Sequence, residues 1–200
     1  PLVPAFHQTI FSEQMINESS LDDDATKNGA DVFVVNIGGI SNLTFLPASS
    51  HLKVIGYDTG AGNALMDDWF QLHNPKSKYK YDKNGDWGAK GNINNNLLKQ
   101  LLSDSYFQRK PPKSTGREYF NLLWLEKQLS KVERITNQDV QATLSAFTAK
   151  SIVDAIKQHH SKKNNTTKVY LCGGGVHNNT LKNQVNSQLK SPANNYELLL

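Results

Sequence analysis

Apolar positions along this chain come in short unbroken runs, separated by polar stretches marked with glycine. Val32-Phe33-Val34-Val35 and Val54-Ile55-Gly56-Tyr57 are too short for core helices and read as buried strands. The first run opens a hairpin over Asp31 to Pro47, with a turn around Gly38 and Gly39 and a return strand from Asn42 to Leu46. A third strand is predicted over Leu52 to Tyr57. After Gly62 the pattern becomes helical: Leu65, Met66, Trp69 and Phe70 fall on one face, and Asn63 stands where an N-cap belongs.

The stretch from Asn74 to Gly91 turns to lysine, tyrosine, asparagine and glycine and predicts a surface loop. A short helix is expected over Ile93 to Leu102. Pro111-Pro112 ends any helix before it, because proline lacks the amide and disfavours helical geometry in its predecessor. Glu118 to Leu129 is helical again. The clearest helix starts at Thr136, where Thr136-x-x-Asp139 is a capping-box variant and Asp139 suits the positive end of the helix dipole. Val140, Leu144, Phe147, Ile152, Ala155 and Ile156 form its stripe, and His159-His160 close its last turn. Lys168 to Cys172 is a strand running into Gly173-Gly174-Gly175, Thr180 to Leu189 forms a further helix, and a last strand leads to Leu198-Leu199-Leu200. This order predicts an α/β fold, a mixed-direction sheet covered by helices. Three glycine turns then line one edge, at the strand ends where open α/β sheets bind ligands.

Composition narrows the function classes. The 200 residues with 38% hydrophobic content suffice for a core, and no apolar run reaches the roughly 20 residues of a membrane span. No secretory leader opens the sequence, so a cytoplasmic setting is expected. The net charge of +4, from 22 basic and 18 acidic residues, is mild, and the densest basic stretch, Arg109 to Lys113, has no interleaved aromatics. Nucleic acid is therefore not the expected partner. Cys172 is the single cysteine, which excludes an internal disulfide and multi-cysteine zinc sites and suits a small buried residue. Pro1-Leu2-Val3-Pro4 at one end and the apolar triplet at the other suggest a piece of a longer chain.

The chemistry concentrates at the turns. Glycine lets backbone N–H groups approach an anion, and Asp58 stands beside one such turn, where a carboxylate is costly unless a metal or a proton-transfer role compensates it. From the residues alone, a structural role is equally open, with Asp58 bonding local amides. Asp67 and Asp68 pair on the following helix and suit either magnesium or the helix N-terminus. His7, His177 and Trp87 have structural readings beside their functional ones, and Ser114-Thr115-Gly116 suits a helix cap. No Walker loop, GxGxxG, GxSxG or HExxH pattern occurs.

Taken together, four segments resemble the anhydro-N-acetylmuramic acid kinase family: Asn36-Ile37-Gly38-Gly39-Ile40-Ser41-Asn42-Leu43-Thr44, Tyr57-Asp58-Thr59-Gly60-Ala61-Gly62-Asn63, Pro111-Pro112-Lys113-Ser114-Thr115-Gly116-Arg117-Glu118 and Leu171-Cys172-Gly173-Gly174-Gly175-Val176-His177-Asn178. Pro4-Ala5-Phe6-His7 extends the likeness to the start of the chain. The resemblance implies a ribonuclease H-like lobe of the sugar kinase, Hsp70 and actin fold. It also implies an ATP- and Mg2+-dependent kinase of cell-wall recycling that hydrolyses the 1,6-anhydro ring of its sugar and phosphorylates O6.

By that resemblance Asp58 is the catalytic base. Gly38, Gly39, Gly173, Gly174, Gly175 and Asn178 bind the nucleotide, and Gly60, Asn63, Lys113 and Arg117 meet the sugar. The metal ligands stay unassigned, and a homodimer stays open. Residues 1–30 then form an N-terminal or interlobe segment and 31–200 a C-terminal-type lobe. The family's N-terminal GTSxDGxD loop and a C-terminal acidic segment are absent from the sequence, and Gly60-Ala61-Gly62 replaces glycine-proline-glycine. A fragment of this kind is expected to be inactive alone. The rival readings are a non-catalytic nucleotide-binding module of the same superfamily and a different sugar kinase.

Overall fold

Five strands make one sheet in the order β3-β2-β1-β4-β5: β1 (Val32–Ile37), β2 (Ile40–Leu46), β3 (Ile55–Ala61), β4 (Thr167–Cys172) and β5 (Tyr196–Leu199). The structure is a computed structural model that describes residues 30–49, 51–159, 167–190 and 196–200. Strand β2 is antiparallel to β1 and β3, while β1–β4 and β4–β5 are parallel, so β2 alone runs against the rest. That order and direction are the ribonuclease H-like arrangement. Central β1 is apolar on both faces because both are covered. Phe33, Val35 and Ile37 enter the main core, and Val32 and Val34 join Leu46 in a smaller cluster on the other face.

The helices are α1 (Ala64–His73), α2 (Asn95–Leu102), α3 (Ser105–Gln108), α4 (Leu122–Leu129), α5 (Asn137–His159) and α6 (Asn179–Leu189). Helix α5 organises them, touching β2, β3, α1, α2 and α6. Every residue from Val140 to Ala149 is buried, and the small Ala142, Ser145, Ala146 and Ala149 let neighbours approach from several sides. Its start follows the sequence pattern: the Asp139 amide donates to Thr136 Oγ1 at 3.1 Å. Asp139 also accepts from the Asn92 amide at 2.6 Å, which pins the preceding loop.

Several expectations need correction. The third strand does not stop at Tyr57; pairing with β2 continues at Asp58, skips Thr59 at an irregularity opposite Ser41/Asn42, and resumes at Gly60 and Ala61. Asp58 therefore lies within a strand, and the turn begins at Gly62. Asn63 holds the cap position of α1 but has helical backbone angles and makes no side-chain cap. The helix expected from Glu118 starts at Leu122, because Asn121 accepts from the Trp124 amide and sets the first turn there. The lysine- and glycine-rich stretch before α2 is anchored, not loose. Buried Asp82 accepts from the amides of Trp87 and Gly88, each at 2.8 Å, and Trp87 packs edge-on against Phe70. Cys172 is exposed at the end of β4. Helix α3 was not anticipated. His7, the segment around it and His160 lie outside the described residues. Among the described residues no helix is long and apolar enough to cross a membrane.

Candidate active site

Strand alternation aims Asp58 away from the core. Its neighbour Tyr57 is buried, with its hydroxyl 3.0 Å from His159 Nε2. The next side chain must face the opposite side of the sheet. On that side Asp58, Asn42, Asn36 and Cys172 stand in register across β3, β2, β1 and β4. At ~4.8 Å per strand the row is about 14 Å long. It runs from Asp58 to the glycine turn after β4.

Asp58 is held from four directions. Strand β3 is an edge, and the segment after α3 occupies its free side: the Asp58 amide donates to the Lys113 carbonyl at 3.1 Å. The Tyr106 hydroxyl donates to the Asp58 carbonyl at 2.6 Å. Carboxylate Oδ2 accepts from Ser114 Oγ at 3.0 Å and from the Thr115 amide at 2.9 Å. An open cavity of about 410 Å³ adjoins it, lined among others by Asn42, Asp58, Arg109, Pro112, Lys113 and Ser114. Lys113 donates to the Tyr106 carbonyl at 3.2 Å and lies over that ring; burial, and then the charge of Arg109, lower its pKa. The cavity is thus lined by one carboxylate and two cationic residues.

The strand ends are built from backbone. The amides of Gly62 and Asn63 donate to the carbonyls of Gly39 and Gly38 at 3.0 and 2.8 Å, which fuses the β1–β2 turn to the start of α1. A Cβ on Gly62 would collide with the Gly38 carbonyl. Gly173 has φ +87°, and a Cβ there would strike Asn36 Oδ1, while one on Gly175 would strike the Ile37 side chain. Gly174 is different. Its Cβ would meet nothing nearer than Asn63 Nδ2 at 3.6 Å, and one on Gly38 nothing nearer than 3.5 Å. Gly62, Gly173 and Gly175 are thus demanded by packing, whereas at Gly38 and Gly174 a Cβ would make only ordinary van der Waals contact.

The sequence profile described as anhydro-N-acetylmuramic acid kinase matches residues 1–195. The chain belongs to this family. It is 47% identical to the anhydro-N-acetylmuramic acid kinase of Colwellia psychrerythraea, over 99% of this chain and 48% of that protein. It is 44% identical to that of Pseudomonas fluorescens, over 90% of this chain and 44% of the relative. The chain therefore spans about half the length of the curated relatives it matches. A weak structural likeness, with TM-score 0.46 and 11% identity over 86% of this chain and 54% of the other, is to an activator of 2-hydroxyisocaproyl-CoA dehydratase from Clostridium difficile with bound ADPNP. It is too distant to bear on function.

The family's residues, as the sequence predicts them, fall into two groups. Asp58 and Lys113 share the cavity. Gly38, Gly39, Asn63, Gly173, Gly174, Gly175 and Arg117 gather at the strand ends, where Arg117 lies against Gly39 and pairs with Asp68 at 3.3 Å. Gly60, at φ +147°, joins neither group and faces the Phe107 ring. Asn178 adjoins the glycine turn, its amide donating to the Gly175 carbonyl at 3.0 Å, while its Oδ1 caps α6 by accepting from the Leu181 amide at 3.0 Å. Sequence reasoning did not single out Asn42 or Tyr106. Alternation about Leu43 would have put Asn42 on Asp58's face, but the Tyr106 contact spans 48 positions and leaves no local trace.

Asp67 has the most perturbed carboxyl near the turns. Burial and then the neighbouring Asp68 charge push its pKa up to about 7, with Arg117 opposing and Asp82 adding to the rise. No group of three His, Cys, Asp or Glu side chains able to hold a metal forms among the described residues.

Proposed function

We propose that this chain is the base-bearing part of a cytoplasmic kinase of cell-wall recycling. It would open the 1,6-anhydro ring of 1,6-anhydro-N-acetylmuramic acid with water and transfer phosphate from ATP to O6. One observation carries the reading: a carboxylate with one oxygen fixed by two donors faces an open cavity, and a polar row leads from it to exposed glycine backbone. A sugar at Asp58 and a nucleotide at Gly174 would lie about one sugar plus one phosphate chain apart along that row of ~14 Å.

The residues divide the work as follows. Asp58 takes a proton from the water attacking the anomeric carbon, the C1–O6 bond breaks, and O6 receives the terminal phosphoryl group as ADP leaves. Lys113 and Arg109, which line the same cavity, meet negative charge on the sugar. Gly38 and Gly174 leave room for the nucleotide to approach backbone. Magnesium would neutralise phosphate charge when bound, and the described residues supply it no three-ligand set.

The test is Asp58→Asn in the full-length protein, with sugar-dependent ATP consumption and the phosphorylated sugar product both measured. Turnover should fall by at least ~10³-fold while nucleotide binding stays within ~2-fold. Turnover near the wild-type rate would remove Asp58 from the role of base. ATP consumption without any sugar requirement would favour a module that does not act on the sugar.

A further inference from the structure

Asp58 has two carboxylate oxygens, and the structure treats them differently. Oδ2 accepts from Ser114 Oγ at 3.0 Å and from the Thr115 amide at 2.9 Å, and no hydrogen bond to Oδ1 is formed among the described residues. We infer that Ser114 is a positioning residue: its hydroxyl, with the Thr115 amide, locks the Asp58 carboxylate in one rotation so that Oδ1 faces the reacting water. This inference rests on the reading of Asp58 as the base.

The backbone geometry favours such a role. Carboxylates turn readily about their last torsion, which is broad and has no sharp well. Two donors on one oxygen restrict that rotation. Their frame is itself fixed, because Lys113 accepts from the Asp58 amide and Tyr106 donates to its carbonyl, so strand and clamp cannot drift apart. The clamp also stands on the cavity wall, since Ser114 lines the same space as Asp58. A serine that merely capped the next helix would face the amides of α4; that start is capped by Asn121. Ser114 is exposed, so losing its hydroxyl leaves no buried hole and is not expected to unfold the protein.

The experiment compares Ser114→Thr with Ser114→Val in the full-length protein, two side chains of one shape that differ in the hydroxyl. If Ser114 positions the base, Val lowers kcat by about 10- to 100-fold, the scale expected when a catalytic group loses its alignment. Thr should retain most of the rate. The KM values for sugar and ATP should stay within ~2-fold, because neither substrate's binding contacts are removed. Melting temperatures of the two variants should agree. Equal rates for Thr and Val, high or low, would overturn the inference, as would a Val defect confined to KM. The outcome separates from that of the parent reading: an active Asp58→Asn variant defeats both, whereas an inactive one with equal Thr and Val rates defeats the positioning role alone.

Discussion

The two ends of the candidate site are held by different means. Around Asp58 the restraints come largely from side chains and from a segment distant in sequence: Tyr106, Ser114 and the Lys113 backbone all reach β3 from beyond α2. At the strand ends the restraints are backbone on backbone, with amides 62 to 64 bonded to the carbonyls of Gly38 and Gly39. The first construction can be adjusted one side chain at a time. The second depends on the absence of side chains, so single changes there should be absorbed poorly. On the reading proposed above, proton transfer would use the adjustable half, and the charged ligand would meet the rigid one.

The largest effects should come from the rigid half, and they should be uneven. Gly62→Ala places a Cβ on the Gly38 carbonyl, and Gly175→Ala places one on Ile37. Each should cost about 3 kcal/mol, the upper part of the range for forcing extra atoms into packed structure. Gly174→Ala adds a methyl that meets only Asn63 Nδ2, at an ordinary contact distance of 3.6 Å, and should leave stability within ~0.5 kcal/mol. Denaturant unfolding measures all three. Nucleotide binding then sharpens the contrast, because Gly174→Val should weaken it while the fold persists. A Gly174→Val protein that binds ATP normally would detach this turn from the nucleotide, and a stable Gly62→Ala protein would undo the idea of a rigid half.

Much of this arrangement is legible in sequence, for physical reasons that also mark where legibility ends. Buried strands declare themselves by continuous apolar runs, which is why β1 begins at its predicted Val32, though it runs two residues past Val35, and β4 stands within a residue of its predicted place. The long α5 is announced by its Thr136 cap. The end of β3 is not announced, because Asp58-Thr59-Gly60 looks like a turn and becomes strand only through pairing with β2. Propensity yields to the partner in such a case. Asp82 is hidden for a similar reason: a carboxylate in a lysine-rich stretch reads as solvated until two amides close on it. At the candidate site, Asp58 and the glycines could be named as candidates from their motifs. Their different surroundings could not, since nothing in Gly173-Gly174-Gly175 tells which of three glycines would press a Cβ into Ile37 and which would make only ordinary contact.

A smaller effect probes the adjustable half. Tyr106→Phe removes the hydroxyl that donates to the Asp58 carbonyl and leaves the buried ring in its aromatic cluster with Phe107 and Phe120. One such hydrogen bond contributes about 1 kcal/mol net. For a chain of this size that corresponds to a fall of about 2–4 °C in melting temperature. If Asp58 is the base as proposed, activity should fall more than stability does, because the lost bond anchors the strand that carries it. A loss of stability with unchanged kcat would show that Asp58 needs no support from that side.

The smallest effect lies where the halves meet, at Asp67 beside the Arg117–Asp68 pair, and pH is its natural probe. The carboxyl has an ordinary value of 3.8 and is pushed up to about 7 in the folded protein, chiefly by burial. Between those values the folded state binds a proton that the unfolded state has released, so raising the pH through this window favours unfolding. The contribution of Asp67 to stability is therefore full below about pH 4 and is lost as the pH climbs to about 7. Asp67→Asn removes the titration. Relative to wild type, the variant should gain melting temperature steadily from pH 5 to pH 8 and level off above. The gain should be modest, since the group is partly solvated and screened. A constant difference between the two proteins across that range would mean that Asp67 ionises as it does in water, and that the junction between the halves holds no strained charge.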